Sequence, residues 1–278
     1  MSSILTNHSA MTALSTLRQI NSNLTDTQSR ISTGLKSASG KDNAAYFSIS
    51  KTMSGDSGMF KAIDETLTLQ KNAVSTARLG AETLVELANS FAERVAFAQG
   101  GTEEVRADVQ AELDELVARM ATTIAQSTFN GTDYVNTASA VTLVTGISRA
   151  AGGTVNTTTM SFNQQDLGAI QSVLDAIDLT GADSAGAQVA ALQSAEAQLS
   201  AAVAAATAFG IAERSIETQK EFLSELTDRL DSGIGSMIDA DMEAEAAKLQ
   251  AQQVQQQLAT QSLSIANASP QNILSLFQ

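Results

Sequence analysis

Residues 60–95 read FKAIDETLTLQKNAVSTARLGAETLVELANSFAERV, and the fold follows from their spacing. Phe60, Ile63, Leu67, Gln70, Val74, Ala77, Ala81, Leu84, Ala88, Phe91 and Val95 alternate in steps of three and four. All but Gln70 are apolar, and a row this long and narrow is the seam of a coiled coil rather than a broad globular face. Extended back to Asp42 and on to Gln99, the helix would run about 85 Å at the usual rise per residue.

Working outward, Gly100-Gly101 stops this helix. Thr102 is placed to cap the next one, with Glu103 and Glu104 in its first turn, where the dipole favours negative charge. Val105, Val109, Leu113, Leu116, Met120 and Ile124 repeat the three/four spacing, so the two helices form an antiparallel hairpin. Beyond it the pattern changes. Asn130-Gly131 signals a turn. The Thr- and Val-rich runs 140–144 and 154–160 predict short strands around Gly152-Gly153, in a β-rich insert of about 129–165 too small to stand alone. A short helix is expected over Asp166–Ile177. From about Ala187 the heptad returns: Ala195, Ala202, Phe209, Ile216, Leu223 and Leu230, led by Leu192, Leu199 and Ala206. This second long helix is expected to break near Gly233 and Gly235. The fold class is therefore mainly α: long antiparallel helices in a coiled-coil-like bundle, drawn from both halves of the chain, with a small β-hairpin insert.

Composition narrows the function classes. The chain has 278 residues, 43% of them hydrophobic, enough for a sizeable core. Its single proline, Pro270, suits long helices. Sixteen basic against thirty acidic residues give a net charge of −14, which repels phosphate backbones and anionic lipid, so no nucleic-acid partner and no membrane partner is expected. No stretch comes near the roughly 20 apolar residues of a membrane span. The absence of cysteine rules out disulfides, Cys-bound zinc and thiol catalysis. The opening Met1–His8 lacks the basic start and apolar run of a secretory signal.

The two ends stand apart from the rest. Residues 1–17 and 249–278 contain no Asp, Glu, Lys or Arg, and the second stretch is rich in glutamine. Heptad rows persist in both: Ala10, Leu17, Leu24, Ile31 and Ala38 in one, Ala251, Leu258 and Ile265 in the other. Amphipathic but uncharged helices suit burial among neighbouring protein chains, where amides and hydroxyls are satisfied without desolvating a charge. With little apolar surface of their own, these ends are expected to be disordered in the isolated chain and to order on assembly.

At these ends the chain resembles the bacterial flagellins. The matching residues are Ile4-Leu5-Thr6-Asn7, Ala13-Leu14, Arg30 to Lys36 and Ser39 to Ala45 at the front. At the back they are Ile238-Asp239-Ala240-Asp241-Met242 and Ile265 to Phe277, with Gln126-Ser127-Thr128-Phe129-Asn130-Gly131 between. The likeness covers about 1–135 and 188–278, and the short Ile-Leu-Thr-Asn opening is similar to α-proteobacterial members. The resemblance implies a structural subunit without cofactor or enzymatic activity. Such a subunit is secreted through the flagellar type III apparatus and polymerises into the extracellular filament used for swimming. It also implies a terminal inner-core domain of 1–40 plus 239–278, its helices pairing as an inner coiled coil. An outer-core bundle would span 41–238, with no large outer surface domains. Expected polymerisation contacts are Leu17, Leu24, Ile31, Met242, Leu249, Leu258, Leu263, Ile265, Ile273 and Leu274. Expected partners are copies of the chain itself, the flagellar cap, hook-junction proteins and an export chaperone. Against the segment read by the innate flagellin receptor, Ala92 stands where the family has arginine and Ala96 where it has leucine, so poor receptor activation is expected.

Other readings are weaker on the residues. The nearest is a hook–filament junction protein, which shares the terminal helices but not the compact insert together with the full Ser-Pro-Gln-Asn-Ile-Leu-Ser-Leu ending. An intracellular coiled-coil adaptor would carry charged outer faces on its terminal helices. His8, the only histidine, lacks signalled partners for catalysis or metal binding and reads as a helix-start residue. Asp239, Asp241, Glu243 and Glu245 read as acidic residues at a helix N-terminus rather than a cation site.

Overall fold

The computed structural model of the chain describes residues 7–150, 153–182 and 184–274, with side chains as far as residue 268. In order, the elements are α1 (His8–Thr33), α2 (Ala44–Phe97), α3 (Glu103–Gln126), β1 (Ala140–Arg149), β2 (Val155–Asn163), α4 (Leu167–Asp175), α5 (Ala185–Ile238) and α6 (Met242–Leu274). The chain divides into two compact units, Met1–Ser57 with Arg229–Gln278, and Gly58–Asp228.

In the second unit the long apolar row does what its spacing predicts. Leu67, Val74, Ala77, Ala81, Leu84, Ala88, Phe91 and Val95 are buried, and Ile63 and Gln70 half-buried. Each fully buried leucine or phenylalanine stabilises the bundle by about 1.5–3 kcal/mol. Gln70, the one polar member, accepts a hydrogen bond from the Tyr134 hydroxyl. At the corner, Gly100 adopts φ +71°, a conformation that side chains resist, and Thr102 caps α3 by accepting from Val105 N at 3.4 Å. Arg94 on α2 meets Glu112 on α3 at 3.1 Å, fixing the two as antiparallel.

The α3 face lies slightly round from the expected row. Arg106, Val109, Leu113, Val117, Met120 and Ile124 are buried, whereas Val105 is exposed and Leu116 half-buried. Arg106 turns inward because its guanidinium donates to the carbonyls of Leu179 (3.2 Å) and Gly101 (2.9 Å). Against α2, α5 runs antiparallel through Arg78–Glu213 and Lys71–Glu217, both 2.7 Å, and buries Ala195, Ala202, Phe209, Ile216 and Leu223. By length and composition α5 is apolar enough to cross a membrane, so the sequence expectation that no stretch comes near a span is too strict for it. Only 28% of that apolar window is buried, through the row from Ala195 to Leu223.

The insert is an antiparallel hairpin, β1 on β2, with a bulge between Val144 and Gly146. Leu143, Thr145 and Gly146 face inward while most of β2 is exposed. Asn130 and Gly131, at φ 49° and 78°, make the turn before it, closed by reciprocal Phe129–Thr132 backbone bonds of 3.0 and 2.8 Å. Asp166 caps α4 by accepting from Ala169 N at 2.8 Å, and Leu167, Ile170 and Leu174 are buried.

Two boundary expectations are corrected. The last long helix does not break near Gly233 and Gly235 but runs on to Ile238. A Cβ on Gly233 would meet Met53 Cε at an ordinary contact distance of 3.4 Å, whereas one on Gly235 would lie only 2.6 Å from an Asp239 carboxylate oxygen; both sit inside a continuous helix, and only Gly235 makes a close approach. Ala38 does not extend the first heptad row. Gly34, at φ +72° with its N–H donating to Arg30 O at 2.8 Å, ends α1 before it.

Candidate assembly surface

In the first unit α1 and α6 lie side by side. Asn7 caps α1 through its Oδ1, which accepts from Ala10 N at 3.1 Å, while its Nδ2 donates to Ala266 O at 2.8 Å. Further along, Gln256 Nε2 donates to Asn21 Oδ1 at 2.7 Å. At the far end Arg30 meets Glu245 at 3.7 Å. These three contacts set one antiparallel register. The pair is closed at its base where Lys36 N donates to Ile238 O (2.6 Å) and Ala240 N to Gly34 O (2.9 Å). Asp241 caps α6 by accepting from Glu243 N and Ala244 N, both 3.1 Å, so the acidic run sits at a helix start.

Burial traces the seam. On α1 the covered positions are Ala10, Ala13, Leu17, Ile20, Leu24, Thr27 and Ile31; on α6 they are Glu245, Leu249, Gln252, Gln256, Ala259, Leu263 and Ala266. Both rows step by three and four. Of the expected contact residues, the structure thus brings Leu17, Leu24, Ile31, Leu249 and Leu263 together on the seam within one chain. It places Met242 (46% exposed), Leu258 (59%) and Ile265 (72%) outward. The side chains of Ile273 and Leu274 lie outside the described residues. The sequence reading missed Asn7, Asn21, Gln252 and Gln256 as seam-forming. The signal was there in the seven-residue spacing of Leu249, Gln256 and Leu263, but Ala251, Leu258 and Ile265 make the more apolar row.

The outward surface mixes exposed apolar side chains with exposed amides and hydroxyls. Met11, Leu14, Val254, Leu258 and Ile265 are exposed. Between them, hydroxyls turn back onto their own helix: Thr12 Oγ1 donates to His8 O at 3.0 Å, Thr16 Oγ1 to Thr12 O at 3.0 Å, and Thr260 Oγ1 to Gln257 O at 2.7 Å. A shallow groove between the helices is lined by Ser9, Thr12, Ala13, Thr16, Ala259 and Ser262. Burying such a surface over 8–17 and 249–268 desolvates no charge, while its exposed glutamines, Gln253, Gln257 and Gln261 among them, need new hydrogen-bond partners.

Comparison with known proteins agrees with this architecture. The bacterial flagellin N-terminal helical region matches residues 4–139, and the bacterial flagellin C-terminal helical region matches residues 182–277. The stretch between them holds the hairpin and α4. A flagellin of Brucella melitensis is 36% identical over 281 residues, covering all of both chains. Flagellin C of Rhizobium meliloti is 32% identical over 323 residues, again covering all of both. A Caulobacter vibrioides flagellin is 32% identical over 281 residues, covering this chain fully and 99% of its own length. With paired terminal helices, a helical bundle and full-length similarity to α-proteobacterial relatives, the chain belongs to the bacterial flagellins, the structural subunits of the flagellar filament.

Proposed function

We propose that the outward rows of α1 and α6 are the contacts through which this flagellin polymerises with copies of itself into the extracellular filament. The observation that carries this is the combination just described: exposed apolar side chains on the stretches 8–17 and 249–268, which carry no Asp, Glu, Lys or Arg. Met11, Leu14, Val254, Leu258 and Ile265 would meet neighbouring subunits. Leu17, Leu24, Ile31, Leu249 and Leu263 hold the pair together within the chain and act on assembly through its shape. Met242 joins the outward set at the start of α6.

In this reading residues 1–40 with 239–278 form the inner, polymerising part, separated from the bundle of 41–238 by the Gly34 cap and the Asp239–Asp241 turn. The hairpin is the whole of the surface elaboration. Export is through the flagellar apparatus, with the C-terminal region held by a chaperone beforehand, and addition takes place under a cap on a filament begun by hook-junction proteins. A non-enzymatic role accords with His8 standing exposed at the start of α1. Poor activation of the innate flagellin receptor follows from Ala92, which is buried, and Ala96; a strong response in a receptor reporter assay overturns it.

Electron microscopy of purified protein after addition of salt or filament seeds tests the main proposal. Long uniform tubes are expected from the parent chain. None are expected from a Leu258→Ser/Ile265→Ser variant, whose circular dichroism should stay close to the parent's because both positions are exposed. Tubes of normal length from that variant would overturn the assignment.

A further inference from the structure

We propose that Glu245, with Arg30 and Lys248, is the register pin of the terminal helical pair. It adds to the choice of one antiparallel alignment of α1 on α6 by penalising any other that takes its buried carboxylate away from Arg30.

The seam specifies its own register only in part, through the Asn7–Ala266 and Asn21–Gln256 hydrogen bonds and its two leucines. On α6 its covered positions are mostly alanine and glutamine, with leucine only at 249 and 263. Sliding α6 by one heptad keeps alanine at the level shared by 259 and 266 but exchanges leucine with glutamine among 249, 256 and 263, so the seam itself resists the slip only in part. Heptad seams of this kind need a polar or charged position to choose among alignments.

Glu245 has the properties of that position. Of the charged residues on the two helices, Arg18, Asp26 and Glu243 are exposed, whereas Glu245 is 5% exposed. Its Oε1 accepts from Lys248 Nζ at 2.7 Å and lies 3.7 Å from Arg30 Nη1, while its Oε2 carries no hydrogen bond. A buried carboxylate so incompletely matched adds little to stability, and its best use is to penalise the alternatives. One heptad of slip in one direction would set the carboxylate at the level of Leu24, leaving it buried without Arg30. One heptad in the other would carry it past Gly34, beyond the end of α1.

The base of the pair is also held by the Lys36–Ile238 and Ala240–Gly34 backbone bonds, so the test must separate the two devices. The chain has no cysteine, which makes engineered thiols unambiguous reporters. Ala10→Cys/Ala266→Cys joins positions level in the observed register. Ala10→Cys/Ala259→Cys joins positions level only after a one-heptad slip. Each pair is oxidised in dilute full-length protein, and intramolecular disulfide is measured by mass spectrometry. The parent background should cross-link 10 to 266 and hardly 10 to 259. With Glu245→Gln the ratio should fall several-fold, and a triple reversal, Arg30→Glu/Glu245→Arg/Lys248→Glu, should restore it. An unchanged ratio in Glu245→Gln overturns the proposal and assigns the register to the backbone bonds. If Glu245→Gln melts the pair, both cross-links become equally slow, and failure of the triple reversal to recover selectivity likewise overturns it. The readout lies within one chain, so the result stands apart from which outward residues join subunits.

Discussion

Gln70 is the polar residue in an otherwise apolar row, and its amide oxygen is satisfied by the Tyr134 hydroxyl, whose own pKa is pushed up by burial. Tyr134→Phe should therefore leave a half-buried acceptor without its donor and destabilise by about 1–2 kcal/mol in urea unfolding. Adding Gln70→Leu should recover most of that loss; no recovery would mean the cost comes from elsewhere. Leucines separate by burial in the same way. Leu84→Ala, at a fully buried site, should cost about 2–5 kcal/mol, and Leu263→Ala, half-buried on the terminal seam, about 1–2 kcal/mol in the isolated chain. The exposed Lys71–Glu217 pair gives a pH signature. The hydrogen bond from Lys71 holds the Glu217 carboxyl below its ordinary 4.5, and the same bond raises Lys71 above its ordinary 10.5. The lowered carboxyl contributes stability above 4.5 that is lost as pH falls through its folded-state value. The raised amine contributes below 10.5, and that part is lost as pH rises through its own. The Tm difference between parent and Glu217→Gln should thus be present through neutral pH, vanish at both extremes and shrink with salt.

At the level of elements, glycines on α2 fall into two kinds. Gly80 faces Ser127 at the end of α3, where an added Cβ would overlap the Ser127 hydroxyl and lie 2.6 Å from its Cβ. Gly80→Ala should destabilise by about 1–3 kcal/mol, with partial rescue by Ser127→Gly. Gly55 and Gly58 have open space around the missing Cβ, and Ala at either should stabilise the helix by about 0.5–1 kcal/mol in thermal unfolding. A loss at Gly58 as large as at Gly80 would contradict this distinction. The same contrast explains what could be read in advance. α2 was legible because its apolar row admits only one face, and the Gly100 corner because both local signals agree there. Gly233 and Gly235 were misread because a glycine inside a helix announces a break or a close contact with the same letter, and only the surroundings, Asp239 beside Gly235, tell them apart. On α6 hydrophobicity favoured Leu258 and Ile265, yet the helix carries two rows. Both rows are visible in its own sequence, but which of them meets α1 depends on the positions Asn7, Asn21 and Arg30 select from the other end of the chain.

For the molecule as a whole, the two compact units should differ in stability. The bundle unit has a continuous core running from Leu67 to Val95 and from Ala195 to Leu223. Among the described residues the terminal pair has only Thr27 buried on α1, and on α6 only Glu245. Hydrogen exchange of the monomer should show slow amides in 60–126 and 190–225 and fast ones in 8–33 and 245–268, with the latter becoming slow in filaments. Equal protection of both regions in the monomer would refute the expectation that assembly completes the terminal fold. Removing 249–278 should leave the bundle's thermal transition in place and abolish polymerisation, seen as a preserved melting curve without tubes.

The uncharged ends also bear on how a growing filament is fed. If the terminal helices line the inside of the filament, as the proposed inner placement has it, and later copies are fed through it, each copy passes those termini carrying a net charge of −14. An acidic wall would hold such cargo back, and a basic one would capture it at every step. A wall of amides, hydroxyls and methyl groups exerts little field in either direction, so transit past it is governed by friction and length rather than by the charge of the traveller.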